Sequence, residues 1–288
     1  GSFELAIEAG KKAISRAEID PDSIDLVINS SVSKMDSELS QHLSPSYATL
    51  IANKLGINNA QTFDVSNACA SMMTSLMIAE SRIRSGQAEY ALIVSGEHIT
   101  PIIDEAKRRN LYLHPRAIAS LTVGDGAAAY ILGPSKEEGR IRFSKPFTLA
   151  QYNRHCIGQA CKNHRGPQMR TKARDLQNGV LNNLGIFLQR AVKKMDLKWE
   201  EIDHTYSHPT TPKAVKKGAK LATEIFGEIN FLHNDSAETA NTASTTHGVL
   251  LEISQNRDYL NSNETVFMVS FGSGLAIMAM HFNLPEGV

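Results

Sequence analysis

Phe63-Asp64-Val65-Ser66-Asn67-Ala68-Cys69-Ala70-Ser71-Met72-Met73 is the stretch on which the reading of this chain turns. An apolar, strand-like run ends in small and polar residues, and a cysteine follows at once. Residues 70–85 then contain neither proline nor glycine, which predicts a helix, and Gly86 stands where such a helix would stop. Ala70, Met72, Met73, Leu76, Met77, Ile78 and Ala79 make that helix apolar nearly all round, which places it in an interior. A thiol at a strand-to-helix junction meets unpaired N–H groups and the positive end of the helix dipole. The expectation is therefore a cysteine held as thiolate, the form that attacks carbonyls and thioesters.

On either side the same alternation continues. Strand-like runs cover 25–29, 62–65, 90–95 and 127–132, and helical segments cover 45–55 and 70–85. Residues 3–14 already read as an amphipathic helix with no strand before it. The polar, turn-rich residues 134–139 predict a boundary that divides the chain into 1–139 and 140–288. Beyond it come a strand at 140–147, a long helix at 173–195, a short strand at 204–207, and helices at 212–226 and 242–255. Strands at 265–270 and 275–282 flank Gly272-Ser273-Gly274, the mark of a tight hairpin. Two halves of like βα rhythm predict an α/β protein with buried sheets and an internal duplication.

Thirty basic residues balance thirty acidic ones over 288 positions. No chain-wide field recruits nucleic acid or an anionic membrane, and neither is expected as a partner. No apolar run approaches the ~20 residues that span a bilayer. Three cysteines make a poor disulfide framework, and these residues carry no secretory leader, so a cytoplasmic setting is expected.

Three polar residues stand at predicted element ends: Cys69, His208 after the strand 204–207, and Asn241 before the helix 242–255. Strand ends are where α/β proteins assemble chemistry. A thiol nucleophile needs an imidazole for proton exchange and donors for a developing oxyanion. Each residue also has a plain structural alternative: a small buried hydrophobe, a satisfied core histidine, and a helix N-cap.

Taken together, the Cys69 stretch and Gly124-Asp125-Gly126-Ala127-Ala128-Ala129 resemble the β-ketoacyl-ACP synthase III family of the thiolase superfamily. His208-Pro209-Thr210-Thr211 stands where that family has His-Gln-Ala-Asn. Asn241-Thr242-Ala243-Ser244 is similar to its Asn-Thr-Ser-Ala segment, and Phe271-Gly272-Ser273-Gly274 to its terminal glycine-rich turn. Gln151-Tyr152-Asn153-Arg154-His155-Cys156 and Ser95-Gly96-Glu97 look closer to synthases that join two acyl chains, such as the olefin-forming branch. That branch has a glutamate just before a proline like Pro45, contributed across the dimer as a base. Here Ser44 precedes Pro45, and the nearest upstream carboxylates are Glu38 and Asp36.

The resemblance implies the five-layered α-β-α-β-α thiolase fold, with two duplicated βαβ halves and the family's leading strand absent from these residues. It implies a homodimer that uses acyl-CoA or acyl carrier protein thioesters, with no cofactor and no metal. Cys69 would carry the acyl group, and His208 and Asn241 would bind the second thioester's carbonyl. The N–H of Cys69, with one from Ser273 or Gly274, would hold the first oxyanion. Phe271 would lie near the acyl tunnel, and Lys213 or Arg108 would meet the phosphopantetheine phosphate. Other readings of the same letters are an acyltransferase to oxygen or nitrogen, a papain-like cysteine hydrolase, and a non-catalytic partner subunit. His155, Cys156, Cys161 and His164 could hold a zinc ion, but the crowded spacing favours a loop lining the acyl site or dimer face.

Overall fold

The computed structural model describes residues 1–135, 141–162, 165–209, 211–233 and 235–285. The predicted boundary at 139/140 lies outside them, as does Thr210 of the His208 motif. In the first half, α1 (Ser2–Ala17), β1 (Ile24–Asn29), α2 (Tyr47–Lys54) and β2 (Gln61–Asp64) come first. They lead to α3 (Ser71–Arg84), β3 (Tyr90–Glu97), α4 (Thr100–Lys107) and β4 (Gly126–Leu132). The second half opens with β5 (Ile141–Phe143), β6 (Phe147–Thr148) and the hairpin β7 (Cys156–Ala160) and β8 (Pro167–Thr171). Then follow α5 (Ala173–Met195), β9 (His204–Ser207), α6 (Pro212–Phe226), β10 (Phe231–His233) and α7 (Ser236–Thr239). The chain continues through α8 (Thr246–Asn256), β11 (Thr265–Gly272) and β12 (Ala276–Asn283).

The first sheet has the order β2-β1-β3-β4 and the second β10-β9-β11-β12-β5. In both, a central strand is parallel to its two neighbours and the next strand returns antiparallel. Helix α3 precedes β3 as α8 precedes β11, and α2 and α6 occupy matching crossovers.

Period-two alternation assigns the faces of each strand. Leu26, Ile28 and Ile93 face inward with Met268, Met278 and Met280, and between them lie Met72, Met73 and Leu76 of α3 and Leu250 of α8. Val27, Leu92 and Val94 face outward onto Ala6 and Ile7 of α1 and Ala48 and Ile51 of α2. Phe267, Val269, Ile277 and Ala279 face the other way, onto Leu184, Phe187 and Leu188 of α5 and Ala222 of α6. Five layers result, α-β-α-β-α, with α3 and α8 in the middle. Leu250 is fully buried there. Leu250→Ala is expected to cost ~2–5 kcal/mol of stability, read from the shift of a denaturation midpoint at constant slope. A loss below ~1 kcal/mol would contradict a packed central layer.

Two predicted elements are corrected. The strand at 140–147 is two short strands, because Pro146 has no N–H for the ladder. Between them Ser144 bonds to β12 through its backbone N–H (2.9 Å to Ala279 O) and its hydroxyl (2.9 Å from Ala279 N). The helix at 242–255 opens as a 3-10 turn, Ala243–Thr245, before α8 begins at Thr246. Ala243 lies at φ 53°, outside helical backbone.

Candidate active site

Cys69 lies in a 3-10 turn, Ala68–Ala70, between β2 and α3. Ala68 before it is held at φ 48°, a left-handed conformation that alanine adopts only where the surroundings impose it. The turn is clamped from the second half, where the Ser270 hydroxyl donates to the Cys69 carbonyl at 3.2 Å. Next to it, a Cβ on Gly272 would come within 2.6 Å of the Asn67 carbonyl, so only glycine permits this approach of β11.

The expectation of a resting thiolate is overturned. Cys69 keeps part of its surface on a cavity wall. Burial, followed by Cys156 and Glu97, nevertheless pushes its thiol up to about 12. A 3-10 turn stands between the cysteine and α3, whose N-cap is Ala70, so Cys69 does not sit in the first turn of that helix. The thiol is protonated at neutral pH.

His208 follows β9, its backbone N–H bonded to Val269 O at 2.9 Å. Both ring nitrogens are buried without a hydrogen-bond partner among the described residues. Burial, with His247 next, holds the ring at about 3, so it is a neutral imidazole. Such orphaned polar atoms are uncommon in native interiors and call for a functional account. Asn241 is fixed by three bonds: its N–H to Thr122 O (2.9 Å), its carbonyl from Gly124 N (3.1 Å), and Oδ1 from Ala243 N (2.9 Å). With Oδ1 engaged, the Nδ2 amide is the group left for a ligand. Ala240 before it lies at φ 57°, the counterpart of Ala68 before Cys69. The two residues occupy matching places in the halves, each in the connection that leads to a central helix.

Cys69, His208 and Asn241 all line one cavity of about 1140 Å³. Its size exceeds the ~300–1,000 Å³ usual for small-molecule pockets. Phe271 and Ser273 also line it, whereas Gly274, Lys213 and Arg108 do not; the two cations are exposed. The cations on its wall are instead Lys34, Arg165 and Arg174. One arm runs beneath α5 and α6 to Trp199, Ile229 and Phe267. Cys156 faces the cavity from β7, its sulfur accepting from the Thr171 hydroxyl at 3.4 Å. His155 points elsewhere, 3.9 Å from Asp175, and His164 lies outside the described residues. Among those described, no group of three His, Cys, Asp or Glu side chains is placed to hold a metal. The sequence singles out Glu97 only within Ser95-Gly96-Glu97 and does not single out Arg174 or His247, since their places at this site depend on packing between the halves.

Residues 63–147, which carry Cys69 and the glycine-alanine strand, match the family model for 3-oxoacyl-[acyl-carrier-protein] synthase III. The chain is 26% identical over 282 residues to a β-ketoacyl-[acyl-carrier-protein] synthase III of Clostridium botulinum, covering 94% of this chain and 80% of the relative. It is 27% identical over 295 residues to the Streptomyces glaucescens enzyme, covering 98% and 81%. Over nearly its whole length the chain is similar to β-ketoacyl-ACP synthases III. Among solved structures, the chain resembles Xanthomonas campestris OleA with bound lauric acid and lauroyl-CoA, at 24% identity and TM-score 0.84, over 98% of this chain and 82% of that one. The 3-oxoacyl-ACP synthase III of Xanthomonas oryzae aligns at 23% identity and TM-score 0.83, over 97% and 81%.

Four of the five buried histidines predict a fold that loses stability in acid. Burial holds His208 and His233 at about 3 and His247 and His281 at about 4. An unfolded histidine titrates near ~6.5, so below that pH the unfolded chain binds protons that the folded one refuses. Stability is complete above ~6.5 and falls as the pH drops toward 4, by at most ~1.4 kcal/mol per pH unit per histidine. Glu97, raised by burial, opposes this as one group against four. The denaturation midpoint should fall between pH 7.5 and 5. A midpoint that holds level or rises would refute the buried neutral histidines.

Proposed function

We propose that the chain is a condensing enzyme that forms a carbon–carbon bond between an acyl group on Cys69 and a second, malonyl thioester on CoA or acyl carrier protein. One observation carries the reading. A single apolar cavity holds the Cys69 thiol together with a neutral, unpartnered imidazole and an asparagine amide whose oxygen is already occupied. In the first step the Cys69 sulfur attacks the thioester carbonyl, and the S–C bond to the carrier breaks. The thiol proton ends on the departing carrier thiol. The N–H groups of Cys69 and Ser273 would hold the oxyanion. In the second step His208 and Asn241 donate to the malonyl thioester oxygen as carbon dioxide leaves. The resulting enolate carbon attacks the acyl-cysteine, and the Cys69 thiolate is released to take up a proton.

A decarboxylative second step is favoured because Glu97 is the one carboxylate among the described lining residues, and its oxygens are already engaged. Loss of carbon dioxide generates the enolate without a base. Ser44, Glu38 and Asp36 are exposed and do not line this cavity. A papain-like hydrolase is disfavoured by the same geometry, since His208 neither bonds a thiol nor is oriented by a third group. The long arm beneath α5 and α6 supports an extended acyl chain as the loaded group.

The test offers acyl-CoAs of increasing length with malonyl-ACP, malonyl-CoA or a second acyl-CoA, and identifies products by mass. A β-ketoacyl product with release of carbon dioxide supports the reading. An ester or amide of an added nucleophile, or free acid alone, would replace it with acyl transfer or hydrolysis. The reading includes a cytoplasmic homodimer. Its support is the exposed apolar group Tyr112, Leu113, Ile118 and Leu121, and three cysteines in free form. No helix among the described residues is long and apolar enough to cross a membrane. Sedimentation of a monomer at micromolar concentration would remove the dimer.

A further inference from the structure

Ser95-Gly96-Glu97 ends β3 on the cavity wall, and its glutamate has no part in the two steps above. Glu97 is completely buried. Its Oε1 accepts from the Val32 N–H at 2.9 Å, and its Oε2 accepts from the Ser33 N–H at 2.9 Å and the Ser33 hydroxyl at 2.8 Å. A third segment joins at Oε1, where the Ser244 hydroxyl donates. Ser244 is further bonded to Ser95 at 2.8 Å. Ser33 also receives the His98 N–H at 3.0 Å. One carboxylate thus fastens the 32–33 wall of the first half to the 3-10 turn that begins two residues after Asn241.

That turn is what orients Asn241, because the Ala243 N–H holds Oδ1. The backbone on both sides of Asn241 is also strained: Ala240 before it and Ala243 at the start of the turn lie at φ 57° and 53°. Such backbone persists only when its surroundings over-determine it. The Ser244–Glu97 bond supplies this restraint from the opposite half of the molecule. Cys69 is held separately, by Ser270 and by the close approach of Gly272.

We propose that Glu97 is a positioning residue for the carbon–carbon bond-forming step, acting through Ser244 on the turn that presents Asn241. This role rests on the condensing reaction proposed above. Glutamine cannot substitute, for a reason visible in the bonds. Each carboxylate oxygen receives a backbone N–H, so the glutamine NH₂ must face a donor whichever way it turns. Aspartate keeps two acceptor oxygens on a shorter arm, and Ser244→Ala removes the link to the turn alone.

The experiment compares wild type, Glu97→Gln, Glu97→Asp and Ser244→Ala in two assays: single-turnover acylation by intact mass, and steady-state condensation. Glu97→Gln should load the acyl group within ~3-fold of wild type, and its condensation kcat should fall by ~100-fold, the scale of a 1 Å misplacement. KM for the acyl donor should stay near the wild-type value. Ser244→Ala should show the same split at smaller size, and Glu97→Asp should recover part of the kcat. Because Glu97 is among the groups that push the Cys69 thiol up, the pH midpoint of Cys69 alkylation should also move down in Glu97→Gln. A bare structural role would not produce that shift together with intact loading.

Condensation unchanged in Glu97→Gln and Ser244→Ala overturns the role while the proposed function stands. Equal loss of loading and condensation in Ser244→Ala overturns the assignment to the second step. Absence of condensation in the wild type overturns the proposed function and this role with it. Should Glu97→Gln fail to fold, Ser244→Ala and Glu97→Asp decide the matter.

Discussion

Cys69→Ala will give a folded protein that takes up no acyl group. The substitution removes one sulfur from a cavity wall and leaves the Ser270–Cys69 backbone clamp intact. Its cost to stability should stay near the ~1 kcal/mol typical of point substitutions. Its cost to chemistry is the nucleophile itself, and loading and condensation should both drop by at least ~10³-fold. Intact mass after incubation with an acyl-CoA should show the acyl increment on the wild type and nothing on Cys69→Ala. An adduct on the variant, carried by Cys156 or any other side chain, would withdraw the nucleophile from Cys69. The raised thiol makes a companion expectation. Alkylation of the wild-type thiol should climb about tenfold per pH unit through pH 9 with no plateau, since the thiolate fraction grows that way below the titration point. A plateau near neutrality would restore the low thiol that the sequence suggested.

The second large effect belongs to Asn241. Asn241→Asp preserves the shape and the Oδ1 acceptor that Ala243 N–H uses, removes the Nδ2 donor, and places a carboxylate where an enolate oxygen should form. Acyl loading should continue, and carbon–carbon bond formation should fall by ~10²–10³-fold, the usual loss for one oxyanion donor. His208→Ala should show the same separation of steps. The measurement is a single-turnover acylation beside product formation from the pre-loaded enzyme. Loss of both steps together in Asn241→Asp would move the residue out of the second step.

The architecture was legible because strands alternate apolar residues and helices avoid glycine and proline. The helix at Ala173–Met195 and the strand at His204–Ser207 fall where the sequence puts them. Cys69, His208 and Asn241 were legible through their order along the chain, and the structure brings them to one cavity. The state of Cys69 was not. Titration depends on what packs around a group, and Cys156 and Glu97 reach Cys69 only after folding. For the same reason Lys213 and Arg108, which the resemblance implies as phosphate contacts, are exposed and do not line the cavity. Ser95-Gly96-Glu97 stood out as a stretch of resemblance, but the linking role of Glu97 did not, since its partners Val32 and Ser33 lie far from Ser244 in the chain.

The middle layer has a consequence of a mechanical kind. Cys69 stands at the head of one central helix and Asn241 leads into the other, so the distance between thiol and amide is set by how α3 and α8 lie between the two sheets. That spacer is filled by Met72, Met73, Met268, Met278 and Met280, side chains that change shape at little cost. The molecule therefore gauges its reacting distance with a compliant shim. Wear on that shim, by oxidation or by a stiffer residue, would detune the reaction from behind the cavity wall while every group that touches substrate kept its identity.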